Sequence, residues 1–134
     1  TWEFLFAAEP RSVLTVWDHS GQKPAPAARS EGHWDRERHS RGILRASAEP
    51  GVFYLGLRTG EIECWQASDL SAPASTTSVG AGAVSALAPT PDGAWLLAVC
   101  QAKEEASPAR LVACRVERGA LCGEPVLLDE AVHM

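Results

Sequence analysis

The sequence has little of what marks a nucleic-acid-binding or membrane-spanning protein. Its 134 residues include 12 basic and 17 acidic side chains, and the formal net charge is −5. Contacts to phosphate need a basic surface, so this charge balance argues against a nucleic-acid partner. No stretch approaches the roughly 20 consecutive apolar residues that a transmembrane helix needs. We therefore expect one globular domain with neither a nucleic-acid partner nor a membrane partner.

Glycosylation and targeting signals are missing as well. The chain contains no asparagine, so it has no acceptor for N-glycosylation. It begins with Thr1 rather than Met, and no basic segment followed by an apolar segment marks a secretory signal. The first residues already show the pattern of a strand, and we expect the chain to be a segment of a longer protein.

The four cysteines lack the spacing of a metal or redox motif. They are Cys64, Cys100, Cys114 and Cys122, and no two of them form a Cys-x-x-Cys pair. Each lies in or beside an apolar run, which favours buried free thiols and a reducing compartment, the cytoplasm or the nucleus. Two disulfides are the alternative, and they would favour a β-sandwich adhesion module.

Catalytic and cofactor motifs are absent too. No serine has the Gly-x-Ser-x-Gly context of a hydrolase nucleophile. His33 and His39 are six residues apart, which matches no standard metal-ligand spacing. Gly80-Ala81-Gly82 lacks the third glycine and the following helix of a dinucleotide-binding loop. We expect no enzymatic activity, no cofactor and no bound metal.

Helix patterns are scarce, and short strand patterns recur along the whole chain. No window of 11 or more residues repeats apolar positions at steps of three and four. Short apolar or alternating runs are instead bounded by Gly, Pro, Ser and Asp, which is typical of an all-β sandwich, barrel or propeller. The predicted strands are Glu3–Ala8, Ser12–Asp18, Gly42–Ala48, Val52–Leu57, Glu61–Gln66, Ser75–Val79, Ala83–Ala88, Ala94–Cys100, Arg110–Val116 and Pro125–Leu128, with a weaker one near Ala25–Ala28.

An internal repeat separates these all-β alternatives. Three runs of similar pattern each follow another apolar strand. Trp17 and Trp65 lie 48 residues apart within the first two, and Arg115 follows Trp65 by 50 in the third. A repeat of this order indicates the blades of a β-propeller. The three runs are Val13–Asp18, Glu61–Gln66 and Leu111–Val116.

The repeat divides the chain into a partial propeller segment. The predicted boundaries are a partial blade over residues 1–30, a second blade over 31–80 and a third over 81–134. A propeller closes only with about four to eight blades, so this segment needs the rest of a propeller as its partner. An unclosed segment is expected to leave apolar blade faces and edge strands exposed.

These residues resemble the WD-repeat β-propeller family. Val16-Trp17-Asp18 is similar to the family's signature at the end of a blade's third strand, and Cys64-Trp65-Gln66 is similar to a divergent copy of it. Leu87–Ala98 is similar to the hairpin of the first two strands, with Pro91-Asp92-Gly93 as its turn. Gly32-His33 stands at the spacing of the family's Gly-His pair. The resemblance implies antiparallel four-stranded blades, about two and a half to three in number.

The chain departs from the hydrogen-bonded tetrad of that family, which joins a His, a Ser or Thr, an Asp and the Trp. The second strand offers Tyr54-Leu55-Gly56 and the next turn Arg58-Thr59-Gly60, so the two middle positions are unmatched. Arg115 stands in place of the Trp of the third blade. The strand tryptophans are still expected to pack in the core: Trp17, Trp65 and Trp95.

The resemblance implies a non-catalytic scaffold for protein binding. In WD propellers the loops of one face supply specificity, and here those loops are Arg29–Arg41, Arg58–Gly60, Gly80–Gly82 and Gln101–Ala109. Arginine pairs bidentately with carboxylate or phosphate and tryptophan adds apolar area, so we expect an acidic or phosphorylated peptide. The candidate binding residues are Trp34, Arg36, Arg38, Arg41 and Arg58.

Three other interpretations remain open beside the general scaffold. Gly60–Glu63 and Pro91–Trp95 are similar to the divergent propellers of F-box/WD substrate receptors of ubiquitin ligases, although the chain has no F-box. A propeller-type enzyme would need His and carboxylate side chains clustered near a central channel. The loop arginines can also simply offset Glu31, Asp35 and Glu37 and keep the loop soluble.

Overall fold

All regular structure in the described part of the chain is β-strand. The computed structural model describes residues 2–6, 14–18, 25–29, 42–102, 108–118 and 120–132, and side-chain surroundings over 42–102, 108–118 and 120–128. Over these residues the chain forms eleven strands and no helix, which confirms the all-β prediction. The strands are β1 (Trp2–Phe6), β2 (Leu14–Asp18), β3 (Ala25–Arg29), β4 (Ile43–Ala46), β5 (Val52–Gly56), β6 (Glu61–Gln66), β7 (Ser75–Ser78), β8 (Val84–Pro89), β9 (Trp95–Cys100), β10 (Ala109–Glu117) and β11 (Ala120–Val132).

The last strand differs most from its predicted extent. The pattern predicts a strand only over Pro125–Leu128, whereas β11 pairs with β10 along its length. One of its three register shifts lies between the pairs Arg115↔Cys122 and Ala113↔Val126, where Gly123 and Pro125 interrupt the alternation. A bulge lets the ladder continue past such an interruption, and the alternation alone could not reveal that.

The strands form three antiparallel sheets, each made of strands that are consecutive in the sequence. The sheet orders are β1-β2-β3, β4-β5-β6-β7 and β11-β10-β9-β8. The predicted pairing of β5 with β6 is confirmed, with a register from Val52↔Gln66 to Gly56↔Ile62. Among the described strands, both four-stranded sheets are open. The edge strands are β4 and β7 in one sheet and β8 and β11 in the other.

Strand alternation builds the main core between the two four-stranded sheets. Tyr54, Ile62 and Cys64 project from one sheet, and Leu96 and Cys114 project from the other; each is at most 2% exposed. Successive side chains of a strand point to opposite faces, so every second residue reaches this core. The buried cluster also contains Val79, Val84, Leu87, Ala98, Cys100, Val112 and Leu121.

The opposite face of the sheet β4–β7 carries a second apolar cluster. Phe53, Leu55, Leu57 and Trp65 are fully buried there, and the rings of Phe53 and Trp65 stack with centroids 6.5 Å apart. Core packing of Trp65 is therefore confirmed. The same prediction is wrong for Trp95, which is 38% exposed because it lies on the face of β9 turned away from the main core.

Candidate functional site

One end of the two four-stranded sheets joins three loops that the sequence assigns to one binding face. The β5–β6 turn, residues 58–60, is linked to the β7–β8 connection by a hydrogen bond from the Val79 amide to the Gly60 carbonyl, 2.8 Å long. The Gln101 amide donates to the Ala83 carbonyl over 2.7 Å, which attaches the chain after β9 to the same connection. We call residues 58–60, 79–83 and 101 the loop end.

Glycines allow the backbones of the loop end to approach one another closely. Gly60 has φ +90°, and a Cβ placed there would meet the carbonyl oxygens of Gly80 and Gly82. A Cβ on Gly82 would meet the carbonyl oxygen of Gln101. No side chain fits between these backbones, so only glycine allows the three segments of the loop end to pack this closely.

Arg58 is the predicted binding residue that the described structure places on the loop end. Arg58 and Thr59 are exposed at the tip of the β5–β6 turn, and the Thr59 hydroxyl donates a 3.0 Å hydrogen bond to Oε1 of Glu61. The other four candidates lie outside the described residues: Trp34, Arg36, Arg38 and Arg41.

A buried thiol is hydrogen-bonded to the backbone of the loop end. Cys100 Sγ donates to the Gly82 carbonyl over 3.0 Å, and the cysteine is 1% exposed. Burial raises the pKa of the Cys100 thiol, and it does the same for Cys64 and for Cys114, whose pKa rises to about 11. All four cysteines are free, so the expected buried free thiols are confirmed for these three, while Cys122 is partly exposed. A protonated, buried thiol is a poor nucleophile and a poor metal ligand.

The opposite end of the sheets holds a cleft that the sequence did not indicate. Its volume is about 390 Å³, and the β10–β11 turn contributes Arg118, with φ +53°. Glu49 from the β4–β5 turn and Ser68 from the chain after β6 also line it. A cleft assembled from three turns so far apart in the chain leaves no local sequence signal; the remaining lining residues are Pro50, Gly51, Val52, Gln66 and Ala67.

Metal-binding and membrane-spanning features do not occur in the described ranges. No three His, Cys, Asp or Glu side chains there are grouped in a way that could hold a metal ion. Over the same residues, the chain has no helix long and apolar enough to cross a bilayer. Neither a protein-family model nor a curated protein matches this sequence.

Proposed function

We propose that this chain is a non-catalytic scaffold for protein binding, built as a segment of a WD-repeat-like propeller. The observation that carries the proposal is that two four-stranded antiparallel sheets, each formed in chain order, stack face to face. Tyr54 on β5 and Leu96 on β9 both enter the core between the two sheets. Stacked sheets of this kind hold their connecting loops in fixed positions, and such loops are a common place for binding residues.

The binding residues in this proposal are Arg58 of the loop end and, from the sequence alone, those of the charged segment that precedes β4. A guanidinium group offers a planar pair of donors that fits carboxylate or phosphate, and a tryptophan supplies apolar contact area. An acidic or phosphorylated peptide is therefore the ligand type that suits this surface. The residues proposed to contact it are Trp34, Arg36, Arg38, Arg41 and Arg58.

The particular role we attach to this scaffold is substrate recognition in a ubiquitin-ligase complex of the cytoplasm or nucleus, with the remaining blades of a propeller as its structural partner. It rests on the similarity of Gly60–Glu63 and Pro91–Trp95 to the propellers of F-box/WD receptors. A fold supports many functions, so the binding surface must be tested directly.

A peptide array gives the direct test. We would probe the chain against fluorescein-labelled acidic peptides, their phosphoserine versions and neutral scrambled peptides, and measure the affinity of the best binder by anisotropy. Arg58→Glu, alone and with Arg36, Arg38 and Arg41 also changed to Glu, should weaken binding at least about tenfold, which is about 1.4 kcal/mol.

Arg118→Glu is the matched control, because it makes the same charge change at the opposite end of the sheets. It should leave the affinity within about twofold of the original. An array in which no acidic peptide exceeds the scrambled ones, or a control as damaging as Arg58→Glu, would contradict the proposed surface.

A further inference from the structure

The cleft beside Arg118 brings together turns from both four-stranded sheets. The β4–β5 turn, the chain after β6 and the β10–β11 turn line its volume of about 390 Å³. The first two segments are joined by a 2.8 Å hydrogen bond from the Ala67 amide to the Gly51 carbonyl, and the Val52 amide donates to the Glu49 carbonyl over 3.2 Å. Main-chain hydrogen bonds therefore fix this side of the cleft.

Two opposite charges line the cleft without neutralising each other. The β4–β5 turn contributes the carboxylate of Glu49 and the β10–β11 turn the guanidinium of Arg118, and both residues are exposed. Within the described part of the chain, no ion pair joins them and neither side chain has a hydrogen-bond partner. Arg115 and Glu117 of the same hairpin do pair, with Nη2 and Oε1 3.5 Å apart. Glu49 and Arg118 can therefore both bind a third molecule.

The rest of the lining fits a small polar molecule with a short apolar part. Gln66 offers an amide and Ser68 a hydroxyl, and each can both donate and accept hydrogen bonds. Pro50, Val52 and Ala67 supply apolar surface. Pockets for small molecules have volumes of about 300–1,000 Å³, so this cleft is among the smaller ones. Its volume fits an amino acid or a dipeptide better than a long peptide.

Arg118 has a backbone conformation that arginine rarely adopts. Its φ of +53° lies in the left-handed region, and Arg118 is the one non-glycine residue of the described ranges with a positive φ. Glycine and asparagine adopt this conformation at a lower cost. Residues held in such conformations are concentrated at functional sites, which supports a binding role for the cleft.

We propose that the cleft beside Arg118 binds a small zwitterion, an α-amino acid or a dipeptide, with its carboxylate at Arg118 and its ammonium group at Glu49. A guanidinium binds a carboxylate through two parallel hydrogen bonds, and a carboxylate accepts hydrogen bonds from an ammonium group. An anion alone would be repelled by Glu49 and a cation alone by Arg118, so a molecule that carries both charges fits best.

This site is independent of the peptide-binding proposal. The cleft lies at the end of the sheets opposite to Arg58, and its ligand belongs to a different chemical class. An acidic peptide is a poor ligand for the cleft, because Glu49 repels its additional carboxylates. Arg118→Glu therefore stays a valid control for the loop end.

An NMR titration of the isotope-labelled chain tests the proposal. Exposed ion pairs are weak and screened by salt, so the dissociation constant should be about millimolar and should rise with ionic strength. The probes are L-alanine and L-alanyl-L-alanine, and the tighter of the two gives the size of the ligand. The amide signals of Gly51, Ala67 and Ser68 should shift on addition of the probe, whereas those of the loop end should not.

Blocked forms of the tighter probe test each charge separately. N-acetylation removes the ammonium group and amidation removes the carboxylate, and each should raise the dissociation constant at least about fivefold. Arg118→Gln should weaken the zwitterion by a similar factor without weakening the amidated form, which has no carboxylate. Glu49→Gln should likewise weaken the zwitterion without weakening the N-acetylated form.

The chain offers a matched control for each of these variants. Arg115→Gln and Glu117→Gln remove the same two charges, but neither residue lines the cleft. Both controls should leave the dissociation constant within about twofold of the original.

Three results would overturn the proposal. The first is that neither probe shifts the amide signals of the cleft. The second is an N-acetylated form that binds as tightly as the zwitterion, which would indicate a simple anion site. The third is equal weakening of the zwitterion and its amidated form by Arg118→Gln, which would mean that the arginine does not contact the carboxylate. Where a variant fails to fold, the blocked forms with the unaltered chain decide the outcome.

Discussion

Nε1 of Trp65 donates a 3.2 Å hydrogen bond to Oε1 of Glu63, and both side chains are completely buried. The two residues are separated by one position on β6, so they lie on the same face of the sheet. Glu63 is the cross-strand neighbour of Leu55, which belongs to the apolar cluster of Phe53 and Trp65, and a buried polar group without hydrogen bonds is costly there. The pair thus allows an acidic residue to occupy an otherwise apolar cluster.

Removing the acceptor of this pair should destabilise the fold. Glu63→Ala leaves the indole N–H without its acceptor in a buried place, and we expect a loss of about 1–3 kcal/mol in the free energy of unfolding. Glu63→Gln keeps an oxygen acceptor and should cost less. Urea denaturation measures both variants, and a Gln variant no more stable than the Ala variant would contradict a stabilising role for this hydrogen bond.

Truncating Trp65 and truncating Trp95 should change the free energy of unfolding by different amounts. Trp65→Ala removes a fully buried ring stacked on Phe53, and the free energy of unfolding should fall by about 3–5 kcal/mol. Trp95→Ala, with 38% of the residue exposed, should cost less than about 1.5 kcal/mol. The comparison is made by urea denaturation. Equal losses would contradict the assignment of the two faces.

A methyl group at the loop end should be harmful for steric reasons. Gly60 and Gly51 both have positive φ, +90° and +78°, but a Cβ at Gly60 meets neighbouring backbone while a Cβ at Gly51 meets open space. Gly60→Ala should therefore lower the free energy of unfolding by at least about 2 kcal/mol more than Gly51→Ala does. Thermal unfolding of both variants measures the difference. Similar values would mean that backbone conformation alone, and not the close approach, sets the cost.

Alkaline pH should weaken the main core through its thiols. Burial raises the pKa of Cys114 from 9.0 to about 11, so the folded state holds this proton more tightly than the unfolded state. The resulting stabilisation is fully present below pH 9 and is lost as the pH rises toward about 11. We expect the free energy of unfolding, measured in urea at a series of pH values, to fall over this interval.

Cys114→Val should make that fall shallower, because it removes the buried group that titrates. Val is apolar like the buried thiol and has no titrating group. Any change in packing that it causes is the same at every pH, so the slope of stability against pH reports the proton. A pH dependence identical in the wild type and Cys114→Val would contradict the link to this thiol.

Much of the fold could be predicted because local patterns determine it. Alternation and the Thr59-Gly60 and Pro91-Asp92-Gly93 turns predict β5, β6, β8 and β9 to within a residue or two. The pattern could not predict that Trp95 is exposed, because it shows which side chains share a face but not whether another sheet covers that face. The cleft beside Arg118 could not be predicted for a related reason, because the residues that line it come from separate turns.

Every strand pairing in the described sheets joins neighbours in the sequence, and this affects the order of assembly. Each hairpin closes over a short length of chain, so little conformational entropy is lost before its first contacts form. The contact of Tyr54 with the cluster around Leu96, by comparison, requires two finished sheets to meet. We expect each sheet to form as a cooperative unit before the two dock, so that weakening the contact between them would separate the sheets while leaving each one paired.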